Sequence, residues 1–270
     1  MNTNQSTKMK YKIYQIDAFT DKVFAGNPAA VCPLQEWLSD DVLQNIAMEN
    51  NLAETAFYIK KDNQFYIRWF TPEVEVDLCG HATLAAAYVL FHHENHKENL
   101  IEFYSEKSGQ LSVTKQNEFL TLDFPKDKLK KVELSADIKS GFDIAPVEAF
   151  KGKTDYLFVF ETEKQIQNAQ PIMANIAALG GRGVIITAKG EKVDFVSRFF
   201  TPQCGVDEDP VTGSAHTTLT PYWSERFDKA KLTAMQLSQR TGYLECELAG
   251  DRVLIRGQAK LYLIGELYIE

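Results

Sequence analysis

The sequence contains the segment Glu208-Asp209-Pro210-Val211-Thr212-Gly213-Ser214-Ala215-His216, which indicates how the chain is organised because it has a counterpart at an earlier position. Arg198-Phe199-Phe200-Thr201-Pro202 leads into it, and Arg68-Trp69-Phe70-Thr71-Pro72 leads in the same way into Asp77-Leu78-Cys79-Gly80-His81-Ala82. The two arginines are 130 positions apart, whereas the two glycines are 133 positions apart, so the second copy carries three extra residues. Self-similarity over this length predicts two halves with the same fold.

The sequence of each copy predicts a strand, a turn at Thr-Pro and a loop. A glycine then begins an apolar segment. Residues 82–91 contain no charged side chain, which is typical of a helix that is buried on all sides. Many short stretches that alternate with period two surround it, so we expect a sheet curled around the helix. The predicted fold class is α+β, with two tandem homologous domains at residues 1–124 and 125–270, each a curled β-barrel around a central helix. The final strand is free to pack across that boundary.

Composition excludes several classes of function. The chain has 270 residues, a net charge of −8 and 44% hydrophobic residues, the profile of a soluble globular protein. Its one basic run, residues 126–131, is interpreted as a solvated connecting segment, so nucleic-acid binding is not expected. No apolar stretch is long enough to cross a bilayer. The first ten residues lack an apolar secretion core and the four cysteines are scattered, which predicts a cytoplasmic protein with reduced thiols.

Glu54 is the first candidate for catalysis. It lies between Ala53 and the apolar residues Ala56 and Phe57, where partial burial would raise the pKa of its carboxyl group toward neutrality. A solvated carboxylate at a strand edge is the alternative. Glu54 corresponds to Val184 in the second copy, so only one half supplies a carboxylate at this position, as a single proton-carrying base requires.

The two glycine turns are candidates for substrate binding. Gly80 and Gly213 each open a helical segment, and the free N–H groups and positive dipole end of a helix start attract a carboxylate. Asp209 and Ser214 flank the second turn and could hold a polar group and donate a hydroxyl, or could merely cap the helix. His81 could position substrate or act as an acid. The two turns together predict two half-sites that face one small acidic molecule.

Other candidates are weaker. Cys79 could be a thiolate, because a helix start lowers the pKa of a thiol, or it could be a packing residue. A two-base racemase would need a second thiol, and the position equivalent to Cys79 holds Thr212. His92, His93 and His96 lie in a charged loop and do not predict a metal site. A dinucleotide loop and a serine-hydrolase elbow are both excluded, because Gly180–Gly183 precedes its strand and Gly213 lacks the required pattern.

These motifs resemble the phenazine-biosynthesis PhzF-like isomerase family, within the wider diaminopimelate-epimerase-like fold. The resemblance covers nearly the whole chain, and its motifs occur in the family's order. They are Asp17–Thr20, Phe24–Ala29, Asn51–Phe57, Arg68–Pro72, Cys79–Thr83, Glu208–Ala215 and Gly257–Ala259.

The resemblance implies two similar domains with the site in the cleft between them, and an acid-base isomerase without cofactor that forms a homodimer. It also implies that Glu54 is the glutamate that moves a proton from one substrate carbon to another. His81 and Asp209 match the family's substrate-contacting residues, and Ser214 with the Gly80 and Gly213 amides matches its anion-binding part.

Our hypothesis from the sequence is a cytoplasmic, cofactor-independent isomerase that acts on a small carboxylated substrate by proton transfer from a single base. No metal, nucleic acid or membrane partner is expected. Two alternatives stay open: an amino-acid racemase or epimerase that uses Cys79, and a binding or interaction protein that has kept the fold without catalysis.

Overall fold

A computed structural model describes residues 9–269, in which eighteen strands and six α-helices form. The first part of the chain contains β1 (Met9–Ala18), β2 (Asn27–Leu34), α1 (Asp40–Asn50), β3 (Glu54–Lys61), β4 (Gln64–Phe70), β5 (Glu75–Val76), α2 (Gly80–His92), β6 (Leu100–Ser105), β7 (Gly109–Gln116) and β8 (Phe119–Pro125). The segment on which the cytoplasmic prediction rests lies mainly in residues 1–8, outside the described part.

The chain continues with β9 (Lys130–Val132), α3 (Ala136–Lys139), β10 (Glu148–Lys151), β11 (Asp155–Val159), α4 (Glu163–Asn168), α5 (Met173–Ala178) and β12 (Gly183–Lys189). It continues with β13 (Phe195–Thr201), β14 (Val206–Asp209), α6 (His216–Phe227), β15 (Lys231–Gln236), β16 (Gly242–Ala249), β17 (Arg252–Gly257) and β18 (Ala259–Ile269). None of the helices in residues 9–269 combines the length and the apolar character needed to cross a membrane.

Strand pairing repeats from one half to the other. In the first half β2 runs parallel to β3, β3 antiparallel to β4, and β4 parallel to β6, after which β6, β7 and β8 are antiparallel neighbours. The same relations join β11, β12, β13, β15, β16 and β17 in the second half. The repeat found in the sequence is therefore a repeat of strand order and direction as well.

Three pairings connect the halves. β8 pairs antiparallel with β17, which makes one continuous sheet of the two curled parts. β9 follows β8 but pairs with β10 at the start of the second half, and β18 follows β17 but pairs with β1 at the start of the first. Each half thus ends in a strand that pairs with the first strand of the other. The domain boundary between residues 124 and 125 stays a prediction.

Helix α2 fills the interior of the first curled sheet. Ten of its thirteen residues are buried, because its sequence has no charged side chain to keep at the surface. Leu84 and the apolar residues around it pack in the same hydrophobic cluster as Leu219 and Trp223 of α6, the counterpart of α2. Burying one leucine side chain stabilises the fold by about 1.5–3 kcal/mol, so this cluster fixes where the two helices begin.

Two features differ from the sequence prediction. Helix α6 starts at His216, three residues after Gly213, because Gly213, Ser214 and Ala215 form a tighter turn whose carbonyls accept from the N–H groups three residues ahead. The basic run at residues 126–131 is not only a solvated connection, since its second half forms β9 and pairs with β10. That pairing places several of its lysines at the edge of the site described below.

Candidate functional site

The two glycine turns face each other at the starts of α2 and α6. A Cβ atom placed on Gly80 would lie 3.6 Å from the Cα of Gly213, and one on Gly213 would lie 3.7 Å from the Cα of Gly80. Within residues 9–269 the N–H groups of Gly80, His81, Gly213 and Ser214 donate to no protein acceptor. Unpaired amides at two converging helix starts form a site for an anionic group.

A cleft of about 1180 Å³ opens beside these turns, and residues from both halves line it. Each residue that the sequence singled out for the site lies on its wall: Glu54, Cys79, Gly80, His81, Asp209, Gly213 and Ser214. The structure therefore brings these side chains and amides together, whereas their roles in catalysis and binding stay predictions.

Glu54 is the first residue of β3, opposite Ala29 of β2, and its side chain is 19% exposed. Its Oε2 lies 3.2 Å from Nε2 of His81, but the two atoms are not aligned for a hydrogen bond, and both lack a partner among the described residues. Burial, and secondly the charge of Asp209, raise the pKa of Glu54 to about 8, against the smaller opposing effects of Cys79 and Arg182. A carboxyl group in this state can both take and return a proton near neutrality.

Asp209 is the last residue of β14 and comes to the cleft from the second half. Its carboxylate accepts hydrogen bonds from the Thr212 hydroxyl at 2.5 Å and the Asn27 amide at 2.7 Å. Burial raises the pKa of Asp209 to about 6, although both of these bonds oppose the rise. In the repeat, Asp209 corresponds to Val76 of the first copy, and Glu54 corresponds to Val184 of the second copy. Each half therefore supplies one of these two carboxyl groups, and the two groups come from different positions of the repeat.

His81 is neutral, because burial lowers its pKa to about 3. Its Nδ1 lies 3.2 Å from the Asn27 amide nitrogen, which can only donate, and 3.4 Å from the Cys79 thiol. We assign Nδ1 as the acceptor on this basis, which leaves the ring proton on Nε2. The N–H group of His81 is therefore directed toward the space that it shares with Glu54.

Asn27 is a site residue that the sequence analysis did not select. Besides Asp209 and His81, its amide also donates to the carbonyl of Val211 at 2.9 Å, which fixes the orientation of the amide. The preceding Gly26 has φ +66°, and a Cβ there would lie 2.1 Å from a backbone carbonyl oxygen, so only glycine can hold this turn. Arg240 of the second half donates to the Gly26 carbonyl at 2.9 Å. The Gly-Asn-Pro sequence was the available signal, but it predicts only a turn.

Arg182 was also missed. Its guanidinium forms a two-pronged ion pair with buried Asp155, at 2.9 and 2.5 Å, and its remaining nitrogen donates to the Ser214 hydroxyl at 2.9 Å. Because that hydroxyl accepts from Arg182, its own hydrogen is free to bond a ligand in the cleft. Arg182 thus adds positive charge beside the glycine turns.

Cys79 behaves differently from a thiolate at a helix start. It caps α2 but is buried, and burial followed by the charge of Glu54 raises its pKa well above 9. Of the two alternatives that the sequence left open, a thiolate and a packing residue, the raised pKa favours the packing residue, because loss of hydration outweighs the favourable field of the helix. Glu54, Cys79 and His81 each offer one possible metal ligand within 4.8 Å. However, the imidazole meets the thiol with Nδ1 and the carboxyl with Nε2, so one ion cannot bind all three groups well.

Known proteins resemble this chain over nearly its whole length. The family model described as phenazine biosynthesis-like protein (PhzC-PhzF) matches residues 16–265. An uncharacterized isomerase of Pseudomonas aeruginosa is 48% identical over 261 residues, which are 97% of this chain and 100% of that protein. A crystal structure of a phenazine biosynthesis protein of the PhzF family from Enterococcus faecalis is 46% identical, with a TM-score of 0.94 over 97% of this chain and 100% of that one.

A more distant structure supports the fold alone. A hydroxyproline epimerase from Agrobacterium vitis is 9% identical but reaches a TM-score of 0.63 over 96% of this chain and 93% of its own. The α+β, epimerase-like fold predicted from the sequence is confirmed by these likenesses. With the family model matching nearly the whole length, this chain belongs to the phenazine biosynthesis-like PhzC-PhzF family and is an isomerase.

Proposed function

We propose that this isomerase moves a proton between two carbons of a small carboxylated substrate, with Glu54 as the single base and no cofactor. The observation that carries the proposal is the state of Glu54. Its carboxyl group borders the cleft, has an oxygen without a hydrogen-bond partner among the described residues, and has a pKa of about 8.

The glycine turns supply the second requirement of the reaction. Removing a proton from carbon leaves an electron pair, which a neighbouring carboxylate or carbonyl can accept as an enolate. If the substrate carboxylate lies against the amides of Gly80 and Gly213 and the hydroxyl of Ser214, the developing negative charge meets donors that are already in place. Arg182 strengthens this field through its bond to Ser214.

The proton then returns from the same carboxyl group. Glu54 in its carboxylate form takes the proton, holds it as the acid, and delivers it to a second carbon of the delocalised anion, so no proton is gained or lost overall. His81 offers its Nε2–H to a substrate oxygen or to the Glu54 carboxylate, and Asp209 offers an acceptor to a substrate hydroxyl or amine. Asn27 holds His81 and Asp209 in these orientations.

The structure favours Glu54 over Cys79 as the base. The Cys79 thiol is buried and its pKa is raised well above 9, and the equivalent position in the second copy is Thr212, which cannot serve as the opposing acid. A racemase that relies on two thiols needs one of them as a thiolate. In this protein the first thiol is held in its protonated form and the second is replaced by a threonine.

The experiment is exchange of carbon-bound hydrogen in D₂O, measured by NMR on a panel of cyclic and amino carboxylic acids. The wild-type enzyme is expected to exchange a carbon-bound hydrogen in at least one acid. The Glu54→Gln variant is expected to lose at least a factor of about 10³ in rate while binding that acid with unchanged affinity. Undiminished exchange in Glu54→Gln would refute the role, and absence of both exchange and isomerised product in the wild type would favour a protein that binds without catalysis.

A further inference from the structure

The mouth of the cleft carries more positive charge than the rest of the molecule. Its lining contains seven basic side chains against five acidic ones, whereas the whole chain has 29 basic and 37 acidic residues. The basic residues of the lining are Lys107, Lys126, Lys128, Lys130, Lys151, Lys153 and Arg182.

Four of these lysines form no ion pair in the described part of the chain. Lys107 lies near Glu75 and Asp77, Lys126 pairs with Asp251, and Arg182 pairs with Asp155, but Lys128, Lys130, Lys151 and Lys153 have no such partner. Asp155, which is paired with Arg182, also favours the charged form of Lys151, and the other neighbouring acid is Asp127. Its carboxylate accepts from the backbone N–H groups of Lys128 and Lys153 and from the Thr218 hydroxyl.

Strand register brings two of the unpaired lysines together. Lys130 of β9 is directly opposite Lys151 of β10 in the antiparallel pair. Like charges at opposite positions of an antiparallel pair are destabilising. Lys131, the next residue of the same strand, instead pairs with Glu148 at 2.7 Å and does not line the cleft. The two lysines without an ion partner thus lie opposite each other on β9 and β10, and both line the cleft.

Lys151 also lies beside the residue that precedes Arg182. The Lys151 ammonium rests on the Tyr156 ring, 3.7 Å from its centroid, and a Cβ placed on Gly181 would lie 2.5 Å from that ammonium. Gly181 immediately precedes Arg182, which donates to Ser214. A chain of positive groups therefore leads from the anion-binding turns to the cleft mouth.

We propose that the substrate is a dianion, whose second anionic group, a carboxylate or a phosphate, binds between Lys130 and Lys151. This inference rests on the proposed function, because it assigns the first carboxylate to the glycine turns and leaves the carbons between the two anionic groups beside Glu54. The second charge of a dianion would meet two ammonium groups that have no ion partner among the described residues, which a monoanion held only at the turns does not reach.

Calorimetric titration of the full-length protein at fixed ionic strength tests the proposal with three probes of similar length: pentanoate, glutarate and 3-phosphonopropanoate. Each ammonium is worth about a factor of five in affinity at a partly exposed position, so at least one dianion is expected to bind ten times or more tightly than pentanoate. In Lys130→Gln/Lys151→Gln that preference is expected to shrink to about twofold. Lys131→Gln is the matched control and is expected to keep the preference.

The affinities of the two dianions identify the second anionic group of the substrate. Stronger binding of 3-phosphonopropanoate indicates a phosphate, and stronger binding of glutarate indicates a carboxylate. The double variant loses the contact of the Lys151 ammonium with the Tyr156 ring, so its Tm without ligand is expected to lie slightly below that of the wild type, and a cooperative unfolding transition with an unchanged circular dichroism spectrum shows that loss of binding is not loss of folding. Equal affinity for pentanoate and both dianions in the wild type overturns the inference, as does a preference that survives in the double variant.

Binding and catalysis fail separately in this design. Tight, lysine-dependent binding of a dianion without hydrogen exchange would refute the proton-transfer function and keep the anion site. Exchange that depends on Glu54, without any preference for a dianion, would keep the proton-transfer function and refute the second anion site.

Discussion

Replacing Glu54 with glutamine is expected to stabilise the protein, and to do so more strongly as the pH rises. Burial and Asp209 raise the pKa of Glu54 from 4.5 to about 8, so the folded state keeps a proton that the unfolded chain has already released. Stability therefore falls as the pH rises from 4.5 to 8, by about 1.4 kcal/mol per pH unit. The penalty in the wild type is about 3 kcal/mol at pH 7 and about 5 kcal/mol at pH 9.

Glutamine keeps the size of the side chain without its charge, so the variant escapes this penalty. Urea unfolding at pH 5, 7 and 9, followed by the fluorescence of buried Trp69 and Trp223, measures the difference in the free energy of unfolding between variant and wild type. We expect a small difference at pH 5 that grows steadily to pH 9.

Glu75→Gln is the matched control, and its expected effect on the free energy of unfolding is opposite in sign to that of Glu54→Gln. The bond from Arg68 lowers the pKa of Glu75, so its carboxylate contributes stability above pH 4.5 that is lost as the pH falls through the folded-state pKa. Glu75→Gln should therefore be less stable than the wild type at pH 7. A Glu54→Gln variant that is less stable than the wild type at pH 9, or whose advantage does not change with pH, would refute the reasoning about Glu54.

Three further substitutions probe the surroundings of the base. Cys79→Ala is expected to keep the maximal rate. The pH at which its kcat/KM increases is expected to be higher than in the wild type, because the thiol lowers the pKa of Glu54. Loss of the maximal rate would instead support a thiol mechanism. Ser214→Ala is expected to weaken carboxylate binding and turnover by about tenfold or more, measured as kcat/KM, and an unchanged value would remove Ser214 from the anion site. Asn27→Ala is expected to lower the free energy of unfolding by about 1–3 kcal/mol. It is also expected to raise the pKa of Asp209, because the hydrogen bond from Asn27 lowers that pKa. ¹⁵N NMR of His81 should then show a mixture of the two ring tautomers in place of a single one.

The repeat and the glycine turns were predictable because they leave local signals. The spacing between the Arg-aromatic-Phe-Thr-Pro copies and the apolar segment after Gly80 showed that two similar halves would place two helix starts near one another. Glu54 was predictable as a carboxylate among apolar neighbours. The size of its pKa shift was not, because it depends first on burial in the assembled sheet and secondly on Asp209, which is 155 positions away in the sequence.

Asn27, Arg182 and the lysine pair could not be found in this way, because their importance comes from partners distant in sequence. Asn27 bonds to Asp209 across 182 positions, and Arg182 bonds to Ser214 across 32. The run that contains Lys130 looks like a solvated connection until strand register sets it opposite Lys151. Register and long-range hydrogen bonds are properties of the packed sheet, and no local pattern encodes them.

The central claim is that one carboxyl group carries the same proton from one carbon to another. It is tested most directly by turning over a protium-labelled acid in D₂O and measuring, by NMR and mass spectrometry, the hydrogen isotope at the newly protonated carbon in the earliest product. A single base at Glu54, shielded by the cleft wall, returns a measurable fraction of the substrate's own protium to that carbon. Complete incorporation of solvent deuterium from the first turnover, with no protium transferred, would contradict the account.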